Sequence, residues 1–165
     1  MQQPPELHRP LPLDRIGAGL DQVVTADKAE CAALAERLKV PAVVSLSCRY
    51  HLTSGQNGTI FAEGHLKAAI RRVCVVSLEE FNTVIDERFR LRFVPSAIEN
   101  DELDPESEDE IPYEGSIIDL GEATAEQLAL TLDPYPRRPG AKLPDDASET
   151  PESAFAALAR RFPRN

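Results

Sequence analysis

The stretch Val44-Ser-Leu-Ser-Cys-Arg-Tyr-His-Leu52, with Ile60-Phe-Ala-Glu-Gly-His-Leu-Lys-Ala-Ala-Ile70 after it, decides the fold. Val44, Leu46, Cys48, Tyr50 and Leu52 fall on one side, and Ser45, Ser47, Arg49 and His51 on the other. Side chains of an extended chain point alternately to opposite faces, so this period of two predicts a half-buried strand. Ser54-Gly-Gln-Asn-Gly58 supplies turn residues. Ile60, Ala62, Gly64, Leu66, Ala68 and Ile70 then alternate with Glu63, His65 and Lys67, and the two runs predict an antiparallel hairpin. Arg71 and Arg72 interrupt the alternation and predict a bulge or strand end.

Working outward, a turn around Ser77 to Glu80 precedes a third strand through Phe81, Thr83 and Ile85. It ends in Arg88-Phe-Arg-Leu-Arg-Phe93, with Phe89, Leu91 and Phe93 inward and Arg88, Arg90 and Arg92 outward. Leu13 to Ile16 is read as a short edge strand, after which Gly17 and Gly19 loosen the chain. Asp27 and Glu30 form a capping box, and Cys31, Leu34, Ala35 and Leu38 share one helical face behind it. Structure is expected to resume at Ile111, with Ile117 and Ile118 in a short strand. Asp119 or Thr124 then caps a second helix with Ala125, Leu128, Ala129 and Leu132 on its apolar face. These elements predict an α+β fold: an antiparallel sheet of four or more strands, open or curled toward a barrel, covered by two helices. The domain runs over 9–133, a Pro-rich tether over 134–149, and a short amphipathic helix over 150–165.

Charge is unevenly spread. The stretch 99–110, ENDELDPESEDE, holds eight carboxylates and no base, and so accounts for all but two of the net charge of −10. Like charges repel and nothing apolar repays their ordering, so this stretch is expected to be a solvated loop. The prolines near the N-terminus do not suit a signal peptide, and no run of about twenty apolar residues is present to span a bilayer. Cys31, Cys48 and Cys74 are odd in number and widely spaced, which fits a reducing cytoplasm better than a disulfide framework.

The sequence offers little to catalysis. It contains no nucleophile elbow, phosphate-binding loop or metalloprotease motif, and no catalytic residue, metal ligand or cofactor is assigned. His51 and His65 are read as exposed strand histidines, Cys31 and Cys48 as small buried hydrophobes. Cys74 stands beside two arginines, whose charge would lower its pKa. The basic face is the stronger feature. Arg49, Lys67, Arg88, Arg90 and Arg92 share the outward parity, with Arg71 and Arg72 at the strand end. Guanidinium groups bind phosphate bidentately and stack on bases, so such a face suits structured RNA; the plainer alternative is a solvated face that blunts an edge strand. Phe155, Leu158 and Phe162 give the terminal helix one apolar side, suited either to a partner groove or to its own domain.

Several stretches together resemble the YceD family: Asp14-Arg-Ile16, Arg72-Val-Cys74 with Ser77-Leu-Glu79, Glu87-Arg-Phe-Arg-Leu-Arg-Phe-Val-Pro95, Ile111-Pro-Tyr-Glu-Gly115, and Ile118-Asp-Leu-Gly-Glu122 through Glu126-Gln-Leu-Ala-Leu130. The resemblance covers roughly Arg9 to Arg138, and Phe155-Ala-Ala-Leu158 also fits. It implies a non-enzymatic part in the accumulation or processing of large-subunit (23S) ribosomal RNA. The implied partner is that RNA or a ribosome assembly intermediate. The residues themselves leave an alternative, an adaptor that holds a basic ribosomal protein through 99–110 or a partner groove through Phe155, Leu158 and Phe162. Many relatives carry Cys-x-x-Cys where this chain has Cys74-Val-Val-Ser77, and some carry further cysteines where it has Leu132 to Pro139, so a metal-dependent role is not expected.

Overall fold

The computed structural model describes residues 5–96 and 109–142. The stretch 97–108 and the residues from 143 onward, with Phe155, Leu158, Phe162 and the expected terminal helix, lie outside the described residues. In chain order the strands are β1 (Pro10–Pro12), β2 (Leu20–Thr25), β3 (Ala42–Ser54), β4 (Ile60–Val73), β5 (Glu80–Pro95), β6 (Asp109–Tyr113) and β7 (Ile117–Asp119). The helices are α1 (Lys28–Leu38), between β2 and β3, and α2 (Leu120–Thr131), after β7. The large sheet has the order β2-β3-β4-β5-β6, and β1 pairs with β7 in a small two-stranded sheet. The large sheet is open, bounded by β2 and β6, so it does not close into a barrel among the described residues.

The expected hairpin is β3–β4, antiparallel from Ala42↔Arg71 to Ser54↔Ile60. Two features depart from its reading. A register shift between Val43 and Ser45 puts Val43 inside and leaves Val44 59% exposed, so the inward alternation starts at Val43 and resumes at Leu46. Arg71 and Arg72 do not end β4, which stays in register with β5 through Val73↔Glu80. Arg72 takes the inward position that the period of two assigns it.

Three further corrections concern shorter elements. Leu13–Arg15 is a 3-10 turn rather than an edge strand: the Ile16 amide donates to the Leu13 carbonyl. The strand lies just before it, where proline is tolerated because β1 has only one partner. β2 was hidden behind Gly17 and Gly19; of its six residues only Val24 is fully buried, so its alternation is faint. β6 begins at Asp109 rather than Ile111 and runs parallel to β5. Parallel neighbours need a long crossover, and the stretch between Pro95 and Asp109 meets that need.

Both helices cover the inner face. Asp27 accepts from the Glu30 amide while Glu30 accepts from the Asp27 amide, each at 2.8 Å, which closes the capping box of α1. Cys31 and Leu34 then reach the core. Asp119, not Thr124, caps α2. Thr124 sits inside, donating to the Leu120 carbonyl at 2.7 Å and lying 2.9 Å from the Tyr50 hydroxyl. Ala123, Thr124 and Gln127 are buried beside Ala125 and Leu128, whereas Ala129 faces out. Tyr50, Phe93, Leu66 and Leu91 are among the fully buried residues, each contributing about 1.5–3 kcal/mol through removal from water. Among the described residues no helix is long and apolar enough to cross a membrane.

Candidate nucleic-acid interface

The register of β2 to β5 arranges the outward side chains in rows. Val23 lies opposite Arg49, Arg49 opposite His65, and His65 opposite Arg88. The adjacent outward row is Asp21, His51, Glu63 and Arg90. Neighbouring strands are about 4.8 Å apart, so the backbones of Arg49 and Arg88 stand about 10 Å apart across β4. Between the two rows is a shallow depression of about 540 Å³. Its floor is the backbone of Tyr50, Gly64 and Phe89; the side chains of Tyr50 and Phe89 take the inward parity.

That floor depends on a glycine. Tyr50, Gly64 and Phe89 are successive cross-strand partners. The Phe89 ring crosses Gly64 to meet Tyr50 edge-on, with ring centroids 5.8 Å apart and planes at 79°. A Cβ on Gly64 would lie 2.1 Å from the end of the Phe89 ring, so only glycine lets the two aromatics meet.

Ion pairing divides the cations. Arg90 is 3.2 Å from Glu63, Lys67 3.4 Å from Asp86, and Arg71 3.8 Å from Glu80. Arg92 pairs with Glu110, which β6 brings alongside. Arg49 and Arg88 have no carboxylate within 4.0 Å among the described residues, and both are exposed. The histidines are also partnered: His51 with Asp21 at 2.7 Å, His65 with Asp86 at 2.6 Å. His65, and then Lys67, hold the Asp86 carboxyl below its ordinary range. The expected band of five outward cations is thus a charge-paired surface with two arginines at its centre that no carboxylate answers among the described residues.

Arg72 does not belong to this surface. It is buried on the inner side, where its guanidinium donates to the Asp133 carbonyl after α2 and its Nε has no hydrogen-bond partner among the described residues. Arg71 remains outward, beyond the depression. Asp21, which orients His51, was not foreseen because β2 was not; the faint alternation of Leu20, Gln22 and Val24 was its one sequence mark.

Cys74 is fully buried at the end of β4. Its sulfur accepts from the Arg138 amide at 3.3 Å and the Ser77 amide at 3.4 Å. The Ser77 hydroxyl and the amides of Arg138, Ser77 and Val76 hold its thiol down to about 6. The cause is hydrogen bonding to the thiolate, not the neighbouring arginines. Burial has the opposite effect elsewhere, raising Cys31 and taking Cys48 to about 11. Among the described residues, no three of His, Cys, Asp and Glu gather as metal ligands.

A family model described as large ribosomal RNA subunit accumulation protein YceD matches residues 62–159. No curated protein and no solved structure matches the chain.

Proposed function

The chain belongs to the YceD family of large ribosomal RNA subunit accumulation proteins, and from that premise we propose that it is a non-enzymatic ribosome-biogenesis factor whose outer sheet face contacts large-subunit RNA. The observation that carries this reading is the Arg49–His65–Arg88 row, with two exposed arginines that no carboxylate compensates among the described residues. A guanidinium already paired must exchange one anion for another, whereas an unpaired one gains the phosphate outright. The spacing of Arg49 and Arg88 lets them hold separate phosphates on one strand or across a narrow groove. The depression between them is shallow and its floor is backbone, which suits shape and phosphate recognition rather than a deep base pocket. The net charge of −10 opposes loose attachment to any polyanion and confines binding to this face.

Cell lysates sedimented on a sucrose gradient test this, comparing wild type, Arg49→Gln/Arg88→Gln and Arg90→Gln/Arg92→Gln. Wild type and the second variant are expected among large-subunit precursors, and the first at the top of the gradient. Co-migration of all three would remove the outer face as the contact. It would favour a protein partner instead, held through the acidic stretch 99–110.

A further inference from the structure

We propose that the chain's own terminal segment, 153–164, docks in the groove between β6 and α2, away from the RNA-facing surface. The groove has a volume of about 390 Å³. Phe93, Ile111, Tyr113, Ile117 and Ala123 supply its apolar lining, and Ile117 is 51% exposed. Its rim carries Glu110, Glu114, Glu122 and Glu126. Glu110 is engaged by Arg92, and Glu122 by Arg37 at 2.7 Å. Glu114 and Glu126 have no ion-pair partner among the described residues. Glu126 is half-buried, and burial followed by the nearby Glu122 raises its carboxyl above the ordinary range. An apolar trough with unanswered carboxylates calls for a segment that is apolar on one side and cationic on the other.

The chain beyond the described residues contains such a segment. Residues 153–164 read SAFAALARRFPR: Phe155, Leu158 and Phe162 at helical spacing, three arginines and no acidic side chain. The preceding stretch 143–152, LPDDASETPE, is acidic, so positive charge is concentrated where the apolar residues are. Its ten residues span up to roughly 33 Å from Lys142. The tether also raises the effective concentration of the segment to roughly millimolar, so a shallow groove suffices. Arg49 and Arg88 repel Arg160, Arg161 and Arg164, which leaves the acidic side as the favourable one.

Amide spectra of the isotopically labelled full chain test the proposal, comparing wild type with Phe155→Ser/Leu158→Ser/Phe162→Ser. Shifts at Ile111, Tyr113, Ala123 and Glu126, with Arg49 and Arg88 unmoved and no change on dilution, are the expected result. Unmoved groove amides would overturn it. Shifts that fade on dilution, with a dimer in sedimentation, would also overturn it by assigning the groove to a second copy's tail. Trypsin provides an independent readout: Glu126→Arg and the triple variant should both be cut after Arg160 and Arg161 about tenfold faster than wild type, with Glu126→Gln between. Equal cleavage of all four proteins would count against docking.

Discussion

Phe89 lies across Gly64 on the neighbouring strand so closely that a Cβ there would come within 2.1 Å of its ring. The contact joins core to surface: the ring seals the inner face against Tyr50, while the same backbone floors the depression between the arginines. Gly64→Ala must expel the ring from this position. The expected loss is about 1–3 kcal/mol, the usual cost of overpacking, read as a lowered urea midpoint with an unchanged slope. Phe89→Leu with Gly64→Ala should recover part of it, because a shorter side chain clears the new methyl. No recovery would place the cost in the β4 backbone instead.

Tyr50 and Thr124 join the sheet to α2 through a buried hydroxyl pair. Thr124 spends its proton on the Leu120 carbonyl, so Tyr50 is the donor between them. Tyr50→Phe removes that donor and leaves a buried oxygen less satisfied. A loss of about 1 kcal/mol is expected, with amide exchange rising first in α2. Exchange rising only around β2 would mean that the hydroxyl does not anchor the helix.

The long strands were legible because one face is buried and the other wet, and a period of two runs unbroken from Leu46 to Leu52 in β3 and through all 14 residues of β4. What was lost follows from the same cause. β2 buries only one residue fully, so it lacks the alternation that reveals a strand. Val44 was placed inside because a register shift has no fixed mark in sequence. Arg72 was taken for surface because its charge outweighed its parity. The parity was the better guide, since the carbonyl of Asp133, 61 residues away, is there to receive it. The seven cations could be counted in the sequence, but not which of them a carboxylate would answer. That depended on cross-strand register, and for Arg92 on a parallel strand that takes up the last two residues of the acidic stretch, Asp109 and Glu110.

Arg72→Met tests the reassignment directly. It keeps the stem and removes the donor to Asp133, so the segment after α2 should loosen and stability should fall by about 1–3 kcal/mol. RNA binding per folded molecule should stay at the wild-type level. A selective loss of RNA binding at unchanged stability would return Arg72 to the interface.

Cys74 makes stability depend on pH. Its thiol is held at about 6 in the folded chain against an ordinary 9.0, so the folded state releases its proton first. The stabilisation is complete above about pH 9, shrinks as pH falls toward 6, and is gone below. Cys74→Ser should therefore lower the urea midpoint at about pH 8.5 and change it far less at about pH 5.5. Thiolate absorbance should reveal one ionisation near 6 in reduced wild type and none there in the variant, since Cys31 and Cys48 are both shifted upward. A gap between the two proteins that is independent of pH would show that the sulfur acts by packing alone.

Salt dependence distinguishes arginines that hold phosphate from arginines that only stand near it. Each phosphate neutralised by a cation releases condensed counterions, so the slope of log K against log salt steepens by about 0.9 per contact on a duplex and about 0.7 on a single strand. Arg49→Gln/Arg88→Gln removes the two cations that no carboxylate answers among the described residues and should flatten the slope by about 1.4–1.8 for a large-subunit RNA fragment. Arg90→Gln/Arg92→Gln removes cations already answered by Glu63 and Glu110, so little change in slope is expected. Equal flattening by both pairs would mean that RNA displaces the carboxylates, and the whole basic face would then be the contact. A slope unaffected by either pair would exclude phosphate contact through this face, whatever the change in affinity.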